Sequence, residues 1–476
     1  MRLLNDVELS TLNRLHSKIY GYSRRNQTLS AYAEAEHRVE KLGFSIPPQM
    51  QHFSAVIGWP SKTCDVLSAR LVPEGFSMPE RTDLLDDLEA VFADNYMMFM
   101  ERQAIDASIR HGVAFTFTTR GDTGKGEPEV LVTVSTALSA SCELDPRSRR
   151  VTSALEVLTG PRVNLYLPGK VLLCVRRPAG WYVEDEFETG HQRVTCTPYV
   201  HGASVEKPLG KSRITKPLMA YTDMAVRTLL RQEVSAEFFS APRIIALGGG
   251  KEILEDGEGN GRSGLEALIG AVWGIPDEED DLTGERHRIG IQQLSQMSMQ
   301  PHSDQLRLIA QMASGETGIP VSYLGVVQDG NPTSAEAIYA NEVDLVRIAL
   351  GQQPSLGMGR LSLAKDVLTV MHGDLGESGE ADLRGLTARW ADPRTRSITE
   401  QSQFVAQQVG SGNFQPGTEA TLSQLPISPD AVKQHVAENR RGSVAQLVSG
   451  ISERIAAAEA NPVVAAAAAE RGAGEA

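Results

Sequence analysis

The sequence has few cysteines and few aromatic residues, and each shortage excludes a class of protein. Its 4 cysteines are scattered through the 476 residues without a CxxC pair. This spacing argues against a zinc ribbon or a disulfide scaffold and predicts reduced thiols, as in a cytoplasm. Aromatic residues make up 5% of the chain and hydrophobic residues 41%, so the cores must be built mainly from Leu, Val, Ile and Ala. The cysteines are Cys64, Cys142, Cys174 and Cys196.

Long apolar runs are also missing. No uncharged apolar run reaches the ~18 residues of a membrane-spanning helix, so no span is expected. The first residues, Met1 to Asp6, lack the apolar core of a signal peptide. The Ala-rich run at 456–469 is interrupted by Glu459 and Pro462. We therefore expect a marginal helix there and a disordered tail over residues 456–476.

Positive charge is in deficit, because the formal net charge is −14. Such a chain is a poor candidate for gripping nucleic acid by neutralising many phosphates. The charge does not exclude a protein that surrounds DNA and lets it slide, since a mildly repulsive wall would prevent tight capture. The length predicts about two to four packed regions rather than one core.

Residue periodicity predicts an α+β fold. Apolar residues at helical spacing predict helices that we expect at 6–20, directly after Trp59-Pro60, at 83–110, 207–240, 302–313, 361–371, 397–409 and 426–439. Alternating apolar residues predict a β-rich meander over 112–200 and a short strand at 243–247. Tyr20-Gly21-Tyr22 is expected to end the first helix, and residues 351–360 are read as turn-rich. Met97, Met98 and Met100 are interpreted as core packing rather than as a cofactor site.

No catalytic or metal-binding constellation stands out. Gly259–Gly264 matches GxGxxG but lacks a strand directly before it, and Gly248–Glu252 lacks the hydroxyl residue of a P-loop. His191, Cys196 and His201 are five residues apart, a spacing that alternates between the faces of a strand. We predict no catalytic residue, no metal and no cofactor, so ATP-driven work would belong to a partner.

The most informative stretch runs from Ala313 to Leu350. Gly315, Gly318 and Pro320 predict the end of a helix, followed by a polar loop and a new helix. Two starts for the new helix are open. Asn331 caps it with Pro332 in the first turn, or Thr333 caps it with Glu336 as a capping box.

Several short motifs, each weak alone, occur in an order that resembles a known family. They are Gly-Ile-Pro-Val-Ser-Tyr-Leu-Gly at 318–325, Asn-Pro-Thr-Ser-Ala-Glu-Ala-Ile at 331–338, Arg-Leu-Val-Pro-Glu-Gly-Phe at 70–76, Pro-Leu-Gly-Lys-Ser-Arg-Ile at 208–214 and Trp-Ala-Asp-Pro at 390–393. Together they resemble the portal proteins of tailed bacteriophages. The resemblance covers most of residues 5–440.

The resemblance implies a portal fold with an α/β wing, a helical stem, a small mixed α/β clip, a tunnel loop with a long helix, and a helical crown. The implied regions are 1–206 (N-terminal wing part), 207–242 (first stem helix), 243–300 (clip), 301–316 (second stem helix), 317–334 (tunnel loop), 335–395 (long helix and return wing segment), 396–455 (crown) and 456–476 (tail).

The same resemblance implies site residues of three kinds. Polar loop residues would face DNA in the channel, and they are equally typical of an ordinary exposed loop: Gln328, Asp329, Asn331, Thr333 and Ser334. Cations near the stem would give local positive charge, or merely a solvated helix face: Lys211, Arg213, Lys216, Arg227 and Arg231. An acidic clip cluster would meet a partner, or bind a divalent cation, or simply be solvated: Asp277, Glu278, Glu279, Asp280 and Asp281.

The implied function is structural. Such proteins form a ring, usually a dodecamer, at one vertex of the virion capsid, assembled in the host cytoplasm. Double-stranded DNA passes through the ring without sequence specificity, and no membrane is involved. The implied partners are the terminase large subunit, the major capsid and scaffold proteins, and a head-completion or adaptor protein. The alternatives are another oligomeric phage head or adaptor protein, or a nucleotide-dependent enzyme.

Overall fold

The structure, a computed structural model, describes most of the chain. The described residues are 1–39, 55–239, 244–247, 278–279, 286–287, 290–293, 298–325, 335–373, 383–394, 398–425, 427, 431–439 and 441. The chain divides into two compact units, Met1–Pro393 and Arg394–Ala476.

Helices and strands are both abundant, as an α+β fold requires. The helices of the first unit are α1 (Asp6–Ala33), α2 (Trp59–Ser68), α3 (Thr82–Asp94), α4 (Met97–His111), α5 (Lys216–Phe239), α6 (Gln300–Thr317) and α7 (Ala335–His372). The second unit contains α8 (Ile398–Gly410), α9 (Glu419–Leu422) and a helical segment at residues 431–439. In the described part of the chain, no helix is long and apolar enough to cross a membrane.

All strands in the described part of the chain belong to the first unit. They are β1 (Arg2–Leu3), β2 (Pro73–Ser77), β3 (Val113–Arg120), β4 (Val130–Thr136), β5 (Ala140–Leu144), β6 (Val151–Val157), β7 (Arg162–Leu167), β8 (Lys170–Arg177), β9 (Gly180–Glu188), β10 (Cys196–Val200), β11 (Ile244–Leu247), β12 (Glu278–Glu279), β13 (Arg286–His287), β14 (Gly290–Gln293) and β15 (Thr387–Trp390). The predicted β-rich meander and the short strand near 243–247 are thus confirmed. Among the strands that were not individually predicted are β1, β2 and β5.

Two antiparallel sheets pack face to face. The larger has the order β1-β9-β8-β7-β6-β5, and the smaller has the order β10-β3-β4. Helix α1 covers the outer face of the larger sheet, where Leu12 and Leu15 pack in one cluster with Leu165. Between the sheets, Phe117 stacks on Tyr166 with ring centroids 4.6 Å apart.

Strand β3 is buried on both faces. Phe115 and Phe117 point into the core between the sheets, whereas Ala114 packs in the cluster formed by α4 and α7 on the other side. Thr116 and Thr118, which also alternate with the phenylalanines, are buried as well. The alternation predicted the strand, and its small residues are buried because helices cover the second face.

The first helix is longer than predicted. It begins at the capping box of Asn5 and Glu8 and continues through Gly21 to Ala33, so the expected end at Tyr20-Gly21-Tyr22 is wrong. A glycine inside a helix costs only about 1 kcal/mol relative to alanine. Burial of Leu29 and Tyr32 in the core of the first unit outweighs this cost.

The predicted helix at 83–110 is two helices. Asn95 fixes the break between them, since its side chain donates to Val130 O at 2.7 Å and accepts from Val132 N at 2.8 Å. Tyr96 then takes a left-handed conformation with a φ of 51°. Met97 is buried as predicted, but the core prediction for Met98 is wrong, because its side chain is 87% exposed.

Residues 351–360 are helical, although turns were predicted there. They form the middle of α7, which continues through Pro354. Ser355 Oγ donates to Val200 O at 2.8 Å, and Leu356 is fully buried. Gly359 lies so close to β10 that a Cβ would be 3.2 Å from Pro198 O. Tertiary packing therefore overrides the local turn signal.

The region at 207–215, predicted to begin a helix, is irregular, and α5 starts only at Lys216. Gly210 has a φ of 76° and lies against the backbone of Gly112 and His201. Ser212 Oγ donates to Arg110 O at 2.6 Å. These contacts hold the segment against the end of α4 and delay the helix.

Candidate functional site

Helix α6 ends in a turn that requires glycine. Gly318 has a φ of 66°, and its N–H donates to Ser314 O at 2.8 Å. A Cβ on Gly318 would lie 2.7 Å from Ile348 Cδ1 of α7. Since other residues avoid this conformation and a side chain has no room, glycine lets α7 pass close to the end of α6.

The short 3-10 turn after this glycine is clamped on two sides. Trp59 Nε1 of α2 donates to Leu324 O at 3.0 Å. The Tyr323 hydroxyl donates to the buried carboxylate of Glu342 on α7, and Arg70 contacts that carboxylate at 2.9 Å. Burial and the neighbouring carboxylate both raise the pKa of Tyr323, so it remains a neutral donor. The chain therefore enters the predicted loop from a fixed point.

The residues predicted to face DNA follow this clamp directly, and all of them lie outside the described residues: Gln328, Asp329, Asn331, Thr333 and Ser334. Both proposed caps of the next helix, Asn331 and Thr333, lie there too. The described chain stops at Gly325 and resumes at Ala335, the first residue of the 38-residue helix α7. The role of these loop residues stays a prediction.

The predicted acidic cluster is only partly described. Glu278 and Glu279 form β12, which pairs antiparallel with Arg286 and His287 of β13. The other members, Asp277, Asp280 and Asp281, lie outside the described residues, as do the glycine-rich sequences at 248–252 and 259–264. Binding of a partner or a cation by this cluster stays a prediction.

Helices α5 and α6 lie side by side and antiparallel. At one end Thr215 Oγ1 donates to Glu316 Oε1 at 2.8 Å, and at the other Ser235 Oγ lies 3.3 Å from His302 Nε2. The seam between these ends is apolar and contains Leu218, Ala225, Ile309, Ala310 and Ala313. Strand β11 after α5 pairs with β14 before α6, so the chain leaves and returns along neighbouring paths.

The five predicted stem cations fall into two groups. Lys211 and Arg213 precede α5. The Arg213 guanidinium donates to Thr317 O at the end of α6, and burial lowers its pKa. Arg213 thus ties the two helix ends together. Lys216, Arg227 and Arg231 lie on α5, and the structure gives them no ion pair with any described residue. The position of these five cations at a channel stays a prediction.

His191, Cys196 and His201 are all buried. His201 Nδ1 contacts Lys211 O at 2.8 Å, and burial lowers the pKa of His201 to about 4. Within the described residues, no group of three His, Cys, Asp or Glu side chains is arranged to hold a metal ion. All 4 cysteines are free and buried, and burial raises the pKa of Cys142 to about 12, which leaves a neutral thiol.

The sequence did not predict the buried charged residues of α7. Arg360 Nε donates to Glu101 Oε1 of α4 at 2.7 Å, and Tyr199 Oη donates to the same oxygen at 2.9 Å. The guanidinium also lies between the rings of Phe76 and Trp390, 4.8 and 4.9 Å from their centroids. This arrangement joins α7 to α4, β10, β2 and β15. No sequence spacing could reveal it, because its members come from distant segments.

Helix α7 carries another buried charged group, the carboxylate of Asp366, between one and two turns after Arg360. Asp366 accepts from Thr197 Oγ1 at 2.7 Å and is paired with Arg193, which also donates to Ser362 Oγ at 2.9 Å. Burial raises the pKa of Asp366, and the Arg193 charge opposes that rise. The two networks fix the axial position of α7 against the sheet. Since Arg360, Glu101 and Asp366 are buried, we interpret both networks as packing contacts.

Comparison with known proteins gives related sequences but no matching family model. Among solved structures, the neck of a native gene transfer agent particle is similar at 13% identity, covering 78% of this chain and 91% of that chain with a TM-score of 0.44. A likeness this weak carries no argument.

The related sequences are portal proteins of two phages. The chain is 24% identical over 393 residues to the portal protein of Mycobacterium phage L5, covering 80% of this chain and 78% of that protein. It is 25% identical over 407 residues to the portal protein of Mycobacterium phage D29, covering 83% of this chain and 81% of that protein. Similarity over four fifths of the chain thus confirms the resemblance to tailed-bacteriophage portal proteins that the short motifs indicate.

Proposed function

We propose that this chain is a portal subunit. It forms a ring, a dodecamer, at one vertex of a virion capsid, and double-stranded DNA enters and leaves through the ring axis. The observation that carries this proposal is the similarity to two phage portal proteins over most of both chains. An α+β fold with an antiparallel helix pair, a clamped turn and a long helix supports it.

We assign the regions as the resemblance to portal proteins implies. Residues 1–206 and the end of 335–395 form the wing, built on the two packed sheets. Helices α5 and α6 are the two stem helices, which belong to regions 207–242 and 301–316, and residues 243–300 between them form the clip. Residues 317–334 form the tunnel loop, and 396–455 form the crown. The antiparallel contact of α5 with α6 and the pairing of β11 with β14 support a stem that leads to a clip and returns.

The channel wall needs low friction rather than affinity. A duplex that must slide cannot be held by many fixed Lys or Arg contacts to phosphate, and no base needs to be read. Gln328, Asp329 and Asn331 suit such a wall, since they are polar without positive charge. The net charge of −14 supports the same conclusion for the subunit as a whole.

The energy for packaging comes from a partner in this proposal. The chain is not an enzyme, and the terminase large subunit docks at the clip, where the acidic cluster at 277–281 offers a charged surface. Capsid and scaffold proteins surround the wing, and a head-completion or adaptor protein replaces the motor later. Assembly takes place in the host cytoplasm before the protein becomes part of the virion.

The particle mass of the purified protein, combined with a nucleotide titration, tests this function. Mass photometry should show particles of about a dozen subunits, and isothermal titration with ATP should show no binding heat. A monomer or dimer that binds ATP would support a nucleotide-dependent enzyme and contradict the proposal. A ring whose axis is closed to a duplex in negative stain would favour another head or adaptor protein.

A further inference from the structure

Helix α6 carries an exposed stripe that starts at Asp304 and ends at Glu316, beside Thr215 at the start of α5. Asp304, Leu308, Met312 and Glu316 follow one another at intervals of four residues, so they share one face. The side chains of Leu308 and Met312 are 56% and 42% exposed. The stripe therefore presents an apolar pair between two carboxylates.

Both carboxylates of this stripe keep an oxygen available. The hydrogen bond from Gln300 and the ion pair with Arg307 use Asp304 Oδ1. The hydrogen bond from Thr215 uses Glu316 Oε1. In the described part of the chain, no contact reaches the second oxygen of either residue. The stripe can therefore accept two further cations.

Helix α5 presents the complementary pattern. Met224 is 37% exposed, and it lies between Lys216 and Arg231 along the helix. Neither cation has an ion pair with a described residue, and Arg231 Nε is buried without a hydrogen-bond partner among them. The face of α5 therefore presents Met224 among cations, with Arg227 as a third between Met224 and Arg231, and is opposite in charge to the α6 stripe.

The two patterns also agree in height along the helix pair. The contact of Thr215 with Glu316 puts Lys216 close to the height of Glu316. The contact of Ser235 with His302 puts Arg231, one turn before Ser235, near the height of Asp304. Interpolation between these contacts puts Met224 level with the stretch from Leu308 to Met312. At both ends of the helix pair a carboxylate of α6 thus lies near the height of a cation of α5. In the middle, the apolar residues of the two helices lie near the same height.

We propose that the α5 face of one copy packs against the α6 stripe of the next copy. This inference rests on the proposed ring. Neighbours in a closed ring are related by rotation, so helices along the axis meet at the same height, through two different faces of the subunit. Met224 then contacts Leu308 and Met312, while Lys216 pairs with Glu316 and Arg231 pairs with Asp304. Lys216 and Arg231 thereby belong to the subunit interface rather than to the channel wall.

Cross-linking of introduced cysteines tests this arrangement. The variant Met224→Cys/Met312→Cys, treated with a short bis-maleimide, should give a ladder of covalent oligomers up to the full ring. The native chain is the background control, because all 4 of its cysteines are buried. The single variants and the pair Met224→Cys/Met98→Cys should give no ladder. Met98 is a matched exposed residue on α4, away from the helix pair.

The outcomes separate this inference from the proposed function. Rings by mass photometry that yield no ladder, or only a cross-link within one chain, would overturn the interface and leave the portal function standing. A chain that forms no ring under any condition would overturn both.

A charge exchange gives an independent readout. Arg231→Glu and Asp304→Lys should each reduce the ring population, and the double variant Arg231→Glu/Asp304→Lys should restore it. Circular dichroism establishes that each variant is folded. A double variant that assembles no better than the single variants would overturn the Arg231–Asp304 pairing.

Discussion

Arg360 and Glu101 form an ion pair that is almost completely shielded from water, with Nε and Oε1 2.7 Å apart and side chains 1% and 3% exposed. The pair links the middle of α7 to α4. Helix α7 begins where the predicted tunnel loop ends, so this contact anchors the helix that follows the loop. A charge buried so deeply is stable only while its partner is present.

Breaking this pair should destabilise the first unit strongly. Glu101→Gln or Arg360→Met should each lower the free energy of unfolding by about 3–5 kcal/mol, because a buried charge is left without a partner. The matched control is Arg162→Gln, which breaks an exposed pair with Glu184 and should cost no more than about 1 kcal/mol. Thermal unfolding measures both changes. Equal shifts for the buried and exposed pairs would contradict the assigned roles.

Acid should destabilise the protein through two buried histidines. Burial lowers the pKa of both His111 and His201 from the ordinary 6.5 to about 4. Between these values the unfolded chain binds protons that the folded chain does not, so stability should fall as the pH drops from about 6.5 to about 4. The slope is at most about 1.4 kcal/mol per pH unit for each group.

Denaturant titrations across this pH range check the effect. The variant His111→Gln/His201→Gln should have a flatter profile than the native chain, and the exposed His435→Gln control should not. A native profile that is already flat between pH 6.5 and 4 would show that these rings are not the source of acid sensitivity.

Gly318 should be intolerant of substitution, whereas Gly315 three residues earlier should tolerate it. Gly318→Ala introduces a Cβ at positive φ and against Ile348, which should cost about 1 kcal/mol or more. Gly315 lies inside α6 with open space around it, so Gly315→Ala should stabilise by about 0.5–1 kcal/mol. Melting temperatures that shift in the same direction for both variants would contradict the described end of α6.

Positive charge in the proposed tunnel loop should impair DNA movement without preventing assembly. Gln328→Lys/Asp329→Lys should form normal rings and package or retain less DNA, since fixed cations hold phosphates. Val205→Lys, at an exposed position of the first unit, is the control for added charge alone. Native packaging by the loop variant would remove these two residues from the channel wall.

Local patterns predicted those elements whose signal lies within the element. The alternation around Phe115 and Phe117 identified β3, and Trp59-Pro60 identified the start of α2. The break at Asn95 could not be predicted, because it depends on Val130 and Val132, which are distant in sequence. The continuation of α7 through Pro354 likewise depends on contacts with β10.

The candidate site was predicted only in its outline. Gly318 and Pro320 marked the end of α6, but the predicted end at 313 was too early, because the helix continues through Gly315 to Thr317. The contact of Trp59 with Leu324 could not be predicted, because the two residues are distant in sequence. The same holds for the buried partners of Arg360 and Asp366. The loop residues themselves lie outside the described residues, so their role rests on the resemblance and on the charge argument.

The most direct test of the central claim is a cryo-electron microscopy reconstruction of the assembled particle. The portal account predicts a closed ring whose axial opening admits a DNA duplex, with residues 326–334 at the channel wall and α5 next to α6 of the neighbouring subunit. A particle without an axial opening, or a ring in which residues 326–334 lie on the outer surface, would contradict it.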